Sequence, residues 1–237
     1  MNSQKLNIKI FADGANIDQI SLMNNEPLIQ GLTTNPTLMR KAGISNYKNF
    51  AKEVLEIVKN KSISFEVFSD DFQEMEMQAK IIASWQENVF VKIPITNTKG
   101  VSSQHLIKKL TDANIKVNVT AILTIEQVKE IIEVLNPNVP SYISIFAGRI
   151  ADTGIDPEPI MEEALTLIEN YKKFELIWAS PRELLNVIQA NNIGCHIITA
   201  TTDIINKIKL IGYPLEKYSL DTVNMFYEDA KKAGYTL

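Results

Sequence analysis

The chain has 237 residues, 45% of them hydrophobic, and a formal net charge of -4. This length allows one large domain or two small ones with a sizeable core, and the acidic balance without a block of basic residues argues against a nucleic-acid partner. The lone cysteine, Cys195, excludes an intramolecular disulfide and is typical of a reducing compartment. No stretch approaches the ~20 apolar residues of a membrane span or the h-region of a signal peptide, so we expect a cytoplasmic protein without a membrane partner.

Short apolar runs alternate along the chain with longer segments of helical period. The runs predict eight strands, at 6–12, 29–33, 62–68, 89–95, 116–123, 142–147, 174–179 and 195–199. Between them apolar residues recur at three- and four-residue spacing, as at Phe50, Val54 and Val58. Eight strand-then-helix units in a chain of this length favour a single-domain (β/α)8 barrel, the TIM barrel, over an open doubly wound sheet.

Several helical segments carry signals for their first turn. Thr124 with Gln127, and Asp70 with Gln73, have the spacing of a capping box. Ser180 precedes a proline and a nearby glutamate, which predicts that Ser180 is the N-cap of the next helix.

A further amphipathic segment, 215–232, follows the eighth unit. It is extra to the barrel, and its apolar residues indicate packing across the barrel or onto a neighbouring subunit. Since no Pro-, Gly- or Ser-rich linker interrupts the sequence, we expect one domain over residues 1–237 with an additional C-terminal helix.

The fourth predicted strand, VFVKIPI, contains a single charged residue, Lys92. The surrounding apolar residues predict a strand buried on both faces, where an ammonium group is poorly solvated. Desolvation disfavours the charged form of an amine and leaves some neutral amine free to attack a carbonyl. The alternative is a lysine whose stem is buried while its head reaches water at the end of the strand. Pro94 favours a position near the strand end, because proline donates no ladder hydrogen bond.

Other polar side chains collect where the predicted strands end, which is where TIM barrels place their active sites. Each has a structural alternative: Asp13 in a turn, Asn35 at an ordinary helix start, and Thr120 as a core hydroxyl bonded to backbone. Glu66 is harder to explain in this way, since a carboxylate among Phe and Val residues is costly unless hydrogen-bonded or protonated.

The arginines indicate a phosphate site. The chain has only three, Arg40, Arg149 and Arg182, and the last two follow consecutive predicted strands. The arginine fork suits a phosphate, and Ser180, at the predicted helix start after the seventh strand, adds hydroxyl and backbone donors. The loops after the sixth and seventh strands are therefore predicted to bind phosphate.

Seven segments, in register along nearly the whole chain, resemble the transaldolases, in particular the shorter members that group with fructose-6-phosphate aldolase. The segments are FADGANID, GLTTNPTLM, FEVFSDD, VFVKIPIT, KVNVTAIL, YISIFAGRI and WASPREL. The resemblance implies that Lys92 forms a Schiff base with the C2 carbonyl of a ketose phosphate. It also implies that Asp13 is the general base for carbon–carbon cleavage and that Glu66, through a water near Thr120, shuttles protons.

The resemblance assigns the remaining residues to the substrate. Asn35, Asn118 and Ser144 would hydrogen-bond the hydroxyls of a dihydroxyacetone unit, with Thr33 and Phe146 beside them. Arg149, Ser180 and Arg182 would hold the phosphate. No metal or organic cofactor is implied, and His105 and His196 show no ligand spacing.

Two activities are compatible with this family. A transaldolase passes the dihydroxyacetone unit from sedoheptulose 7-phosphate or fructose 6-phosphate to an aldose phosphate in the pentose phosphate pathway, whereas the related aldolase releases it. Glu66 and Phe146 resemble the transaldolases, since the aldolase type has Gln and Tyr there. A non-catalytic sugar-phosphate-binding barrel is a third hypothesis, but such a protein would not be expected to keep Lys92, Asp13 and Glu66 together. The family's shorter members form rings, so we expect a homo-oligomer.

Overall fold

A computed structural model describes residues 6–237 and contains a closed barrel of eight parallel strands in sequence order. The strands are β1 Lys9–Asp13, β2 Ile29–Thr33, β3 Ser62–Glu66, β4 Val89–Pro94, β5 Val117–Ile122, β6 Ser141–Ile145, β7 Phe174–Trp178 and β8 Ile197–Ala200. The helices are α1 Ile17–Asn25, α2 Pro36–Lys41, α3 Tyr47–Ile57, α4 Phe72–Ala83, α5 Gln104–Asp112, α6 Ile125–Ile132, α7 Ala147–Ala151, α8 Glu158–Ile168, α9 Leu185–Asn192, α10 Thr202–Asn206 and α11 Leu215–Ala233. The predicted barrel and the predicted C-terminal helix are confirmed.

The strand positions agree with the apolar runs to within three residues at either end, and the difference at the last strand has an identifiable cause. β8 begins at Ile197 rather than at Cys195. The backbone N–H of Cys195 donates to the carbonyl of Ala190, and Gly194 has a φ of 76°. These two residues therefore close the end of α9 instead of opening the strand.

Two of the predicted helix starts are wrong. The capping box of Thr124 and Gln127 is present on α6, but Asp71 rather than Asp70 caps α4. Asp70 instead accepts hydrogen bonds from the backbone N–H and hydroxyl of Thr98, at 2.6 and 2.7 Å. Ser180 caps no helix, since α9 begins only at Leu185. Long-range contacts have overridden the local signal at both places.

Aromatic side chains fill the barrel interior below its carboxyl end. Phe90 stacks on Tyr142 with ring centroids 4.0 Å apart, and Phe11 meets Tyr142 edge to face at 5.8 Å. Gly31 is required beside this layer, because a Cβ there would lie 2.5 Å from the ring of Phe11. The layer forms an apolar floor, and the side chains nearer the strand ends stand above it.

The described chain divides into two compact units, residues 6–205 and residues 206–237. The second unit contains α11, which ends at Gly234 in the left-handed conformation, φ 67°. No residue of α11 is buried, and its large apolar side chains include the exposed Leu220, Val223 and Phe226. A single domain over the whole chain stays a prediction. Within residues 6–237 no helix has the length and apolar character needed to cross a membrane.

Candidate active site

A cavity of about 460 Å³ opens at the carboxyl ends of the strands. Every residue predicted for the site lines it: Asp13, Thr33, Asn35, Glu66, Lys92, Asn118, Thr120, Ser144, Phe146, Arg149, Ser180 and Arg182. These residues come from strands or loops at seven places along the barrel, so the fold brings together groups far apart in sequence.

Strand register places the central groups of the site side by side. Lys92 pairs with Glu66 on β3 and with Asn118 on β5. Lys92 is only 6% exposed, and its Nζ donates to the carbonyl oxygen of Thr34 at 3.0 Å. The Oε2 atom of Glu66 lies 3.5 Å from the same Nζ. The amine is therefore held inside the barrel and does not reach out to bulk water, which excludes the alternative of a snorkelling lysine.

Glu66 is a largely buried carboxyl group with one cationic neighbour, Lys92. Burial raises the pKa of Glu66, and the Lys92 ammonium only partly offsets this effect. The phenolic hydroxyl of Tyr47, at the start of α3, donates to the backbone carbonyl of Glu66 at 2.7 Å. The position of Glu66 is thus fixed through its backbone, while its side chain stays available to exchange a proton.

Asp13, at the end of β1, is held by a chain of hydrogen bonds. The hydroxyl of Thr33 donates to Oδ1 of Asp13 at 2.7 Å, and Nδ2 of Asn35 donates to Oδ2 at 3.2 Å. The Thr33 and Thr199 hydroxyls are 2.6 Å apart. Because Thr33 gives its only proton to Asp13, Thr199 must donate to Thr33. Burial raises the pKa of Asp13, and Lys92, Thr33 and Asn35 act in the opposite direction.

Asn35 both caps a helix and contacts the carboxylate of Asp13. Its Oδ1 caps α2 by accepting from the backbone N–H of Leu38 at 2.9 Å, while its Nδ2 faces Asp13. The cap fixes the orientation of the amide, so the Nδ2 donor is aimed at the carboxylate.

A second hydrogen-bonded set lies on β3, β5 and β6. Ser144 donates to Oδ1 of Asn118 at 2.7 Å, and Nδ2 of Asn118 donates to the hydroxyl of Ser64 at 3.0 Å. Thr120 is 1% exposed and its hydroxyl has no partner. It lies where the register of β5 and β6 shifts, next to Ala121, whose φ is 62°. A buried hydroxyl of this kind is the type of group that binds an ordered water or a substrate atom.

The other end of the cavity is cationic. Arg182 donates from Nε to Oδ1 of Asp152 at 2.9 Å, from Nη2 to Oδ2 of Asp152, and from Nη1 to the hydroxyl of Ser180 at 3.1 Å. The guanidinium of Arg149 lies 5.8 Å from the ring centroid of Phe146. Two guanidinium groups and a hydroxyl can together bind an anion such as phosphate.

Five residues that the sequence did not single out contribute to this arrangement: Thr34, Tyr47, Ser64, Asp152 and Thr199. Ser64 had a detectable signal, since it precedes Glu66 by two residues and therefore shares its side of the strand. Thr199 likewise lies near the carboxyl end of β8. The other three act through contacts that the sequence alone does not reveal.

The two histidines lie among aromatic or backbone groups. The ring of His105 packs edge to face on Phe72 at 4.7 Å, and Nδ1 of His196 accepts from the backbone N–H of Leu176 at 3.2 Å. In the part of the chain that the structure describes, no three His, Cys, Asp or Glu side chains are grouped as metal ligands would be.

Comparison with known proteins gives a consistent result. Residues 10–237 match the sequence profile of a family described as "Transaldolase/Fructose-6-phosphate aldolase". A "Probable transaldolase" of Thermoanaerobacter sp. (strain X514) is 34% identical over 229 residues, which are 96% of this chain and 99% of that relative. A "Probable transaldolase" of Nitrosopumilus maritimus (strain SCM1) is 32% identical over 226 residues, covering 94% of this chain and 96% of that one. The solved structure of KGPDC from Streptococcus mutans, at 11% identity, has a TM-score of 0.55 over 84% of this chain and 90% of its own, which shows the fold alone.

Proposed function

The chain belongs to the transaldolase/fructose-6-phosphate aldolase family, and we propose that it is a transaldolase acting through a Schiff base on Lys92. It transfers a dihydroxyacetone unit from a ketose phosphate, sedoheptulose 7-phosphate or fructose 6-phosphate, to an aldose phosphate, glyceraldehyde 3-phosphate or erythrose 4-phosphate. This is a reaction of the pentose phosphate pathway, and the single cysteine is in keeping with a place in the cytoplasm.

One observation carries the proposal: a buried lysine amine and two carboxyl groups of raised pKa line the same cavity. Burying three ionisable groups together costs free energy that a packed apolar core would not cost. A role in proton transfer and nucleophilic attack accounts for that cost. Neither a snorkelling lysine nor a purely structural ion pair does.

Formation of the Schiff base begins with the neutral amine of Lys92. Its nitrogen lone pair attacks the C2 carbonyl of the ketose, giving a carbinolamine, and loss of water gives the iminium ion. Glu66, 3.5 Å from Nζ, takes the proton that the amine gives up and returns one to the departing hydroxyl. The unpaired hydroxyl of Thr120 would hold the water that leaves and later re-enters.

Cleavage and transfer use Asp13. Asp13 removes the proton of the C4 hydroxyl, the C3–C4 electron pair moves toward the iminium, and an aldose phosphate leaves an enamine on Lys92. The enamine carbon then attacks the aldehyde of the acceptor, and Asp13 returns the proton to the new hydroxyl. Hydrolysis of the second Schiff base frees the enzyme.

The remaining residues bind the sugar. Asn35, Asn118 and Ser144 hydrogen-bond the hydroxyls of the dihydroxyacetone unit. Arg149, Ser180 and Arg182 bind the phosphate at the far end of the ketose or aldose. An open-chain sugar phosphate fits a site with amide and hydroxyl groups beside the amine and guanidinium groups at the other end.

The acceptor decides between transaldolase and aldolase. Fructose 6-phosphate consumption is measured with and without erythrose 4-phosphate. Glyceraldehyde 3-phosphate is followed in the reaction with the acceptor, and free dihydroxyacetone is followed in both reactions. We expect consumption only with the acceptor, because Glu66 and Phe146 are the residues of the transferring members. Equally fast release of free dihydroxyacetone without the acceptor would favour the fructose-6-phosphate aldolase activity, and binding of the sugar phosphate without turnover would favour a non-catalytic barrel.

We also expect a homo-oligomer. The exposed apolar residues of α11, among them Leu220, Val223 and Phe226, favour a second copy of this chain as their partner. Sedimentation velocity measures the mass directly, and a monomer at micromolar concentration would contradict this expectation.

A further inference from the structure

The short helix α7 supplies three separate parts of the cationic end of the cavity. Gly148 allows the backbone of Ser180 to approach, because a Cβ at position 148 would overlap the carbonyl oxygen of Ser180 and lie 2.7 Å from its carbonyl carbon. Arg149 follows directly, and Asp152 is the C-cap residue four positions after Gly148. The loop after β6 therefore organises the loop after β7 that carries Ser180 and Arg182.

Asp152 determines how the guanidinium of Arg182 is presented. An arginine side chain has five N–H donors in one plane. The edge formed by Nε and Nη2 is bound by the two carboxylate oxygens of Asp152, and one Nη1 donor is bound by Ser180. Two of the five donors, one on Nη1 and one on Nη2, remain for an anion.

This ion pair contributes little to stability, because both side chains are about half exposed, at 45% and 53%. Its effect is on orientation, since a flexible arginine is fixed in one position beside Ser180. The Arg182 guanidinium also holds the pKa of Asp152 below its usual range, so Asp152 remains a carboxylate at neutral pH. Ser180 itself is strained into this loop, with a φ of 61°.

We propose that Asp152 is a positioning residue that orients Arg182 and so makes the enzyme selective for phosphorylated over unphosphorylated sugars. The inference rests on the proposed function, because it takes this end of the cavity as the phosphate site. The negative charge of Asp152 would by itself repel a phosphate. If orientation dominates, removing Asp152 weakens phosphate binding; if repulsion dominates, removing it strengthens phosphate binding.

The test compares Asp152→Asn with a control, Asp156→Asn. Both substitutions remove one negative charge from the segment that follows α7, but Asp156 accepts a hydrogen bond from the backbone N–H of Glu158 and not from Arg182. KM and kcat are measured with erythrose 4-phosphate and with erythrose as acceptors, at saturating fructose 6-phosphate for each variant because the donor phosphate binds at the same end of the cavity. We expect Asp152→Asn to raise KM for erythrose 4-phosphate by ~10- to 100-fold, in line with misplacement of a binding group by about 1 Å. In Asp152→Asn we expect KM for erythrose, kcat and the melting temperature to stay unchanged. In Asp156→Asn we expect all of these parameters, and KM for erythrose 4-phosphate, to stay unchanged.

A double-mutant cycle separates positioning from a general effect. In an Arg182→Ala background we expect Asp152→Asn to cause no further change in KM for erythrose 4-phosphate, because Asp152 acts through Arg182. An unchanged or lower KM for erythrose 4-phosphate in Asp152→Asn, or the same loss with and without Arg182, would overturn the proposal.

Titration of each variant with inorganic phosphate by calorimetry keeps this test independent of catalysis. Weaker phosphate binding by Asp152→Asn than by Asp156→Asn supports the positioning role even if the wild-type chain proves not to be a transaldolase. Equal or tighter phosphate binding by Asp152→Asn contradicts it whatever the enzyme's activity.

Discussion

Replacement of Thr33 by valine tests how the general base is tuned. Valine matches threonine in shape but lacks the hydroxyl that donates to Asp13 at 2.7 Å. A hydrogen bond to a charged group contributes about 1.5–3 kcal/mol, which corresponds to ~10- to 150-fold in a rate that depends on the carboxylate. Burial already raises the pKa of Asp13, and the Thr33 hydroxyl lowers it, so Thr33→Val raises that pKa further. The carboxylate then forms only at higher pH.

The measurement is kcat/KM for the transfer reaction as a function of pH. We expect the acid limb of the profile to move to higher pH in Thr33→Val, with a loss of ~10- to 150-fold on that limb and a smaller loss on the plateau. Thr33→Ser keeps the hydroxyl and is the matched control. A Thr33→Val enzyme whose acid limb coincides with that of the wild type would refute the assignment of Asp13 as the base held by Thr33.

Two further predictions concern the cationic end and the core. In Gly148→Ala the new Cβ would overlap the carbonyl oxygen of Ser180 and lie 2.7 Å from its carbonyl carbon, against ~3.5–4.0 Å for non-bonded carbons, so the Ser180 loop has to move by more than about 1 Å. We expect Gly148→Ala to lower kcat/KM for phosphorylated acceptors by ~100-fold. The control Gly14→Ala, whose Cβ meets nothing within 4 Å, should behave as wild type. Equal activity of the two variants would contradict this prediction. Burial raises the pKa of Cys195 to about 12, so we expect the native protein at pH 8 to react with a disulfide reagent only after unfolding. Immediate reaction of the folded protein would show that the thiol is accessible and would contradict this prediction.

The sequence predicted the barrel because the alternation of apolar runs and helical segments is a local signal repeated eight times. It identified Lys92 because a charge in a buried strand is unusual in itself. The row formed by Glu66, Lys92 and Asn118 depends on the register of neighbouring strands, which no single segment encodes. Sequence analysis could place these residues at one end of the barrel but could not set their distances.

The loop after β7 shows where local signals fail. Ser180 and its neighbours have the sequence of a helix start, yet the approach of Gly148 and the Asp152–Arg182 pair hold Ser180 in the left-handed conformation. Asp152 itself resembles any surface acid until its partner, 30 residues away, is known. The residues that position other residues are therefore the ones that required the structure.

The most direct test of a Schiff base on Lys92 is borohydride reduction in the presence of fructose 6-phosphate, followed by peptide mass analysis. Reduction of an iminium ion gives a stable secondary amine, so we expect a ketose-derived mass on the peptide that contains Lys92 and none in Lys92→Arg. Folded wild-type protein that carries no adduct, or carries it on another lysine, would contradict the Schiff-base mechanism.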